Sequence, residues 1–209
     1  MGASQYFPYT QQPMTGGPTP PHPMYYQTQW GMGMPYGGMQ FPGAAQMPPM
    51  DPMGMMMEEE MIGAIKIKDG LFIGDSFAAR DFEFVVANKV THVINCAGKH
   101  VGNHWEQLGV VYLTFFWMDS ENQVLFDPGQ DKTTKQIFDF VEQAQKKSES
   151  VLVLSVRGQS RAASVLACYR MRKYRWSMIK PLEFLNSRRP ELEIKASFIQ
   201  QLQEYEHRL

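Results

Sequence analysis

The sequence predicts an α/β domain with a mostly parallel central sheet flanked by helices, preceded by a tail of different character. Two observations carry this. From residue 62 onward, short apolar runs of strand type alternate with longer stretches of helical periodicity. The composition also breaks sharply near residue 58, which divides the chain into a low-complexity tail, 1–57, and a folded domain, 58–209.

The elements follow in order. IKIKDGLFIG alternates and then turns at Asp69-Gly70, a hairpin signal. Ser76 is positioned to cap a helix running to about Asn88, with Phe77, Phe84 and Val85 on its buried side. THVINC (91–96) and VVYLTFF (110–116) read as buried strands. Residues 131–147 form an amphipathic helix through Ile137, Phe138, Val141 and Ala144. VLVL then leads through a loop into a helix ending near Tyr174. Two further helices, near 179–188 and 197–208, are separated by the breaker Arg189-Pro190.

The tail holds 12 of the 16 methionines, 11 of the 14 prolines and eight aromatic residues, but a single charged side chain, Asp51. Frequent Pro and Gly oppose helices and sheet ladders, so alone in water this segment is expected to be disordered. Its thioethers and rings are adhesive, which makes ordering along a protein partner the functional expectation and a solvated tail the plain one. The Pro-x-x-Pro spacings Pro18/Pro21, Pro20/Pro23 and Pro49/Pro52 are weak signals in so proline-rich a tract.

A net charge of −1, with 20 acids and 20 bases after residue 57, argues against nucleic acid or an anionic membrane as partner. No apolar run approaches the ~18 residues of a membrane span. Met1-Gly2 is followed by Tyr6 where the myristoylation pattern needs Ser or Thr. Two cysteines, Cys96 and Cys168, give no disulfide framework and suit a reducing compartment. The expected location is cytoplasmic.

The stretch VLVLSVRGQSRAASVLACYR reads as strand, tight loop and helix. Such a loop gathers unpaired amides around a helix N-terminus, where the dipole favours an anion. Gly158 permits the close backbone approach and Arg161 offers a planar fork for two anion oxygens. The candidate phosphate-binding residues are therefore Ser155, Val156, Arg157, Gly158, Gln159, Ser160 and Arg161.

These residues resemble the signature loop of the dual-specificity branch of the cysteine-dependent protein tyrosine phosphatases, His-Cys-x-x-Gly-x-Ser-Arg-Ser. Gly158, Ser160 and Arg161 match, while Leu154, Ser155 and Ala162 stand where the family has His, its nucleophilic Cys and a hydroxyl residue. GLFIGDSFAA, THVINCAG and the C-terminal stretch from Arg188 are similar to the family too, and Asp119 falls at its general-acid position. Ile194, Lys195 and Ser197 depart from the usual Pro, Asn and Gly.

The resemblance implies a phosphatase fold without phosphatase chemistry. A thiol in an electropositive nest ionises at a pKa of about 3.5–7.5 and attacks as thiolate, whereas a serine hydroxyl does not, and no histidine adjoins it as base. Leu154 removes the imidazole that poises the family's loop, and Ala162 the hydroxyl that helps sulfur leave. A substitution engineered at Ser155 alone would leave Leu154 and Ala162 unexplained. The sequence is thus similar to a pseudophosphatase, in the manner of the serine/threonine/tyrosine-interacting proteins. Asp119 is then an inherited residue with no phosphoenzyme to form.

Two roles stay open. In the first, the loop still binds phosphotyrosine or phosphothreonine on a protein partner, and the domain shields or scaffolds it. In the second, Arg161 only ties the loop together, the pocket is vestigial, and the tail anchors the domain in a cytoskeletal or filament assembly. No cofactor is implied. Cys96, His100 and His104 are spaced four apart, but glycines interrupt any shared helix face and a fourth ligand is missing, so no metal site is expected. Cys168 reads as packing, and Arg170, Arg172, Lys173 and Arg175 as helix C-terminal cations or an acidic partner's dock.

Overall fold

The computed structural model describes residues 61–209, so the readings for the tail and for a boundary at residue 58 lie outside the described residues. Five strands form one sheet: β1 (Ile65–Lys68), β2 (Leu71–Gly74), β3 (Val90–Asn95), β4 (Val111–Thr114) and β5 (Ser150–Leu154), in the order β1-β2-β5-β3-β4. Pairing is parallel except between β1 and β2. The helices are α1 (Phe82–Ala87), α2 (Lys132–Lys146), α3 (Arg161–Tyr174), α4 (Ile179–Arg188) and α5 (Ala196–Glu206). The mostly parallel sheet expected from the sequence is the one observed, with β1 as its antiparallel edge.

The uninterrupted VLVL of β5 follows from its central place. Val151 and Val153 enter the larger core, shared with α2, α3, α4 and α5, while Leu152 and Leu154 enter the smaller core under α1. Successive side chains point to opposite faces, so a strand covered on both sides is apolar at every position. Helix α3 passes through the larger core, and its residues from Arg161 to Met171 are all buried.

The hairpin turns where expected: Gly70, at φ +67°, closes it beside a bulge between Lys66 and Lys68. Two expectations need correction. No single helix runs from Ser76 to Asn88. The buried Asp75 instead accepts hydrogen bonds from the amides of Phe77 (2.9 Å) and Ala78 (3.1 Å), which makes a separate turn. Asp81 then caps a new, short helix through the Phe84 amide. Phe77 consequently lies outside, against Arg80. The run VVYLTFF is strand only to Thr114; beyond it Phe115 stacks on Trp117, with centroids 4.1 Å apart, and Phe116 faces out.

Leu166 on α3 is fully buried in the larger core, so truncating it leaves a cavity there. Leu166→Ala is expected to destabilise the domain by about 3 kcal/mol, read as a lower urea midpoint at unchanged slope.

Candidate functional site

Parallel pairing of β2, β5 and β3 brings three strand ends to one level, and the loop 155–160 leaves from the middle of that edge. This is where an open parallel sheet presents its ligand sites. Leu154 lies opposite Gly74 and Asn95 and is buried in the smaller core. Ser155 follows, 2% exposed, and its amide continues the ladder to the Gly74 carbonyl at 3.3 Å. The chain turns at Gly158, whose φ is +65° and whose amide donates to the Ser155 carbonyl at 3.2 Å. The amides of Val156, Gln159, Ser160 and Arg161 have no acceptor among the described residues, so the N-terminus of α3 keeps donors available to an anion.

The loop is braced from outside. Arg189, fully buried at the end of α4, donates Nη1 to the Gly158 carbonyl (3.2 Å) and Nη2 to the Arg157 carbonyl (2.9 Å). Ser76 donates its amide to the Val156 carbonyl at 3.0 Å. The Ser160 hydroxyl accepts the Lys195 amide at 3.1 Å, and Ser164 donates its hydroxyl to the Ser160 carbonyl at 2.9 Å. Ala162 is packed into the larger core with no exposure.

Arg161, 2% exposed, is not aimed into open space. Its Nη1 donates to the Trp117 carbonyl at 2.9 Å and its Nη2 lies 3.5 Å from Asp119 Oδ2. Burial draws its pKa down from the ordinary guanidinium value, and the Asp119 carboxylate opposes that shift. Asp119, still partly exposed, also meets Lys195 Nζ at 3.7 Å. The structure therefore brings Ser155, Arg161 and Asp119 to one end of the sheet, as the sequence implies, and adds Trp117, Arg189 and Lys195. Arg189 was legible only as a helix breaker. Lys195 stood out only as a departure from the family pattern, and its reach to Asp119 had no local signal.

Among the described residues no histidine hydrogen-bonds Ser155. His92 sits opposite Val151, four positions before Ser155, so ~13 Å separates them along the strands at 3.3 Å per residue. Its Nδ1 is held by Thr91 at 2.9 Å, and Glu149 lies 3.4 Å away. Cys96 and Cys168 are both fully enclosed, and burial pushes both thiols well above their ordinary pKa. His100 and His104 lie on the surface while Cys96 is in the core, so the three do not converge. Among the described residues no cluster of His, Cys, Asp and Glu could hold a metal ion, and no helix is long and apolar enough to cross a membrane.

A mostly parallel sheet whose central strand ends in a braced loop with open amides, with an arginine on the first turn of the next helix, defines the class of tyrosine-phosphatase-like α/β domains. The chain belongs to the dual-specificity phosphatase family: the family's catalytic-domain model matches residues 71–208. Dual specificity protein phosphatase 1 of Arabidopsis thaliana is 29% identical over 140 residues, covering 67% of this chain and 67% of that protein. Protein phosphatase Slingshot homolog of Xenopus laevis is 29% identical over 136 residues, covering 65% of this chain but 19% of that protein, so the likeness spans about a fifth of the relative's length. Among solved structures, human DUSP28 superimposes with a TM-score of 0.54 at 28% identity, covering 69% of this chain and 93% of the other. The human tyrosine phosphatase-like serine/threonine/tyrosine-interacting protein gives 0.62 at 22% identity, with 69% and 96% covered, which is a likeness of fold.

A Cβ at position 158 would stand 2.6 Å from both the Gly74 carbonyl oxygen and Arg189 Nη1. Gly158→Ala is therefore expected to cost at least about 2 kcal/mol in chemical denaturation, through positive-φ strain and displacement of the brace.

Proposed function

We propose that this domain is a catalytically silent member of its family that works as a protein-interaction module. The observation that carries the reading is Ser155 at the nucleophile position, closed in at the end of β5 with no histidine bonded to it among the described residues. A loop whose amides and helix dipole stabilise a thiolate lowers no alkoxide into a useful range, because a hydroxyl starts far above any pKa the nest can reach. Leu154, committed to the smaller core, supplies no imidazole. Asp119, tied to Arg161 and Lys195, has no leaving group to protonate. The tail, rich in thioethers and rings, is the segment we propose for anchoring on a partner assembly in the cytoplasm.

A second question is whether the loop still reads phosphate. The open amides favour it. The engagement of Arg161 by Trp117 and Asp119 favours a resting state in which the arginine is an internal tie and a dianion must displace a carboxylate. We take the second as the resting role, so that phosphorylated partners bind weakly through this loop and the domain's main contacts lie elsewhere.

Two assays test these readings. The full chain is expected to show no hydrolysis of p-nitrophenyl phosphate above blank; turnover that disappears in Ser155→Ala would overturn the inactive reading. In calorimetric titration with a phosphotyrosine peptide, Asp119→Asn is expected to tighten binding about fivefold, the scale of one partly exposed charge pair. Micromolar binding by the wild type, unchanged in Asp119→Asn and lost in Arg161→Ala, would make the loop a working phosphate reader instead.

A further inference from the structure

A second cation lies buried on α3. Arg170 is nine residues beyond Arg161, or about 13.5 Å along the helix axis at 1.5 Å per residue, so it belongs to a different part of the molecule. It is 3% exposed, yet its Nε and Nη1 have no hydrogen-bond partner, and no carboxylate reaches it from any described residue. Aromatic rings surround it: its Cζ lies 3.8 Å from the Phe184 centroid, 4.9 Å from that of Trp176 and 5.1 Å from that of Tyr174.

Ring faces recover part of the hydration such a charge gives up, but they offer nothing to its N–H groups. The guanidinium lines a cleft of about 560 Å³ between β1, the end of α3 and α4. The other charged residues there are Lys66, Lys68 and Arg188 against one acid, Asp69, and Asp69 is already 2.7 Å from Lys66 Nζ. Lys68 is fixed as well, donating to the Tyr174 hydroxyl at 2.9 Å. The cleft thus presents one edge of an unpartnered guanidinium, a cationic rim and three aromatic walls.

We infer that this cleft docks an acidic peptide segment of a protein partner, with a carboxylate seated on Arg170 and a neighbouring apolar side chain against Trp176 and Phe184. A carboxylate matches the guanidinium fork and meets it at Nη2, the one nitrogen of Arg170 that is not sealed from solvent and that has no acceptor of its own. The cations ring one compact cleft on a chain of net charge −1 rather than forming a stripe, which fits a short peptide better than a nucleic-acid backbone.

The test uses the ¹⁵N-labelled full chain and the probe acetyl-Glu-Phe-Glu-Leu-Glu-amide, with a control peptide carrying Gln for every Glu. The Arg170 Nε–Hε resonance is expected to shift saturably with the acidic peptide and not with the Gln control. Calorimetry should show Arg188→Gln weakening binding roughly threefold, the loss growing smaller as salt is raised, as for a rim charge. Arg170→Met should weaken it more than tenfold; thermal melting establishes whether that variant folds, and if it does not, Arg188→Gln decides. Equal binding of the Gln peptide, wild-type affinity in Arg188→Gln, or displacement of the peptide by a short single-stranded oligonucleotide at lower concentration would each overturn the proposal.

Discussion

The shape of the loop depends on one buried guanidinium. Arg189 comes from the end of α4, far along the chain, and holds two successive loop carbonyls at the point where Gly158 turns the backbone into the left-handed region. The buried Gly158 carbonyl would otherwise lack a donor, and the turn would lose its close approach to Gly74. Asp75 does the equivalent on the neighbouring strand end, accepting four amides: those of Ile62 and Gly63 before β1, and those of Phe77 and Ala78 after β2. Together these two charged side chains, both fully buried, lock the sheet's loop edge from either side. The loop is held chiefly from outside itself, by the Arg189 side chain and the Ser76 amide.

Support of this kind is compatible with the loss of chemistry we propose. The scaffold holds the loop in its shape while Leu154 and Ala162 fill opposite cores and Ser155 carries on the ladder to β2. Lys195 bears on the same point. In reaching Asp119 it shares a carboxylate with Arg161, so the end of the sheet carries two cations around one acid and the arginine is held from within.

Much of this was legible in the chain. The β5–loop–α3 stretch announced itself because strand, glycine turn and helix start are local signals, and the hairpin at Asp69-Gly70 for the same reason. The misreadings arose where neighbours competed. Asp75 captured the amides that Ser76 was expected to cap, and Asp81 began the helix afresh. Neither the bracing role of Arg189 nor the burial of Arg170 was legible, although Arg170 was read within a possible acidic partner's dock, since a buried arginine has the same letter as a solvated one and its partners lie 31 or 32 residues away or on another helix. Sequence patterning reports which face of an element is apolar, and long-range side-chain reach leaves no such period.

The enclosure of both thiols has a consequence for redox exposure. Cys96 and Cys168 are the chain's two cysteines, each without access to solvent and each held in its protonated form by burial. Peroxide attacks exposed thiolates, and an enzyme that works through one is silenced by it. This chain has hydroxyl oxygen where such a sulfur would stand. An oxidative burst that switches off thiol-dependent phosphatases would leave its loop and its brace chemically unaltered, while exposed thioethers such as Met118 would still be open to oxidation.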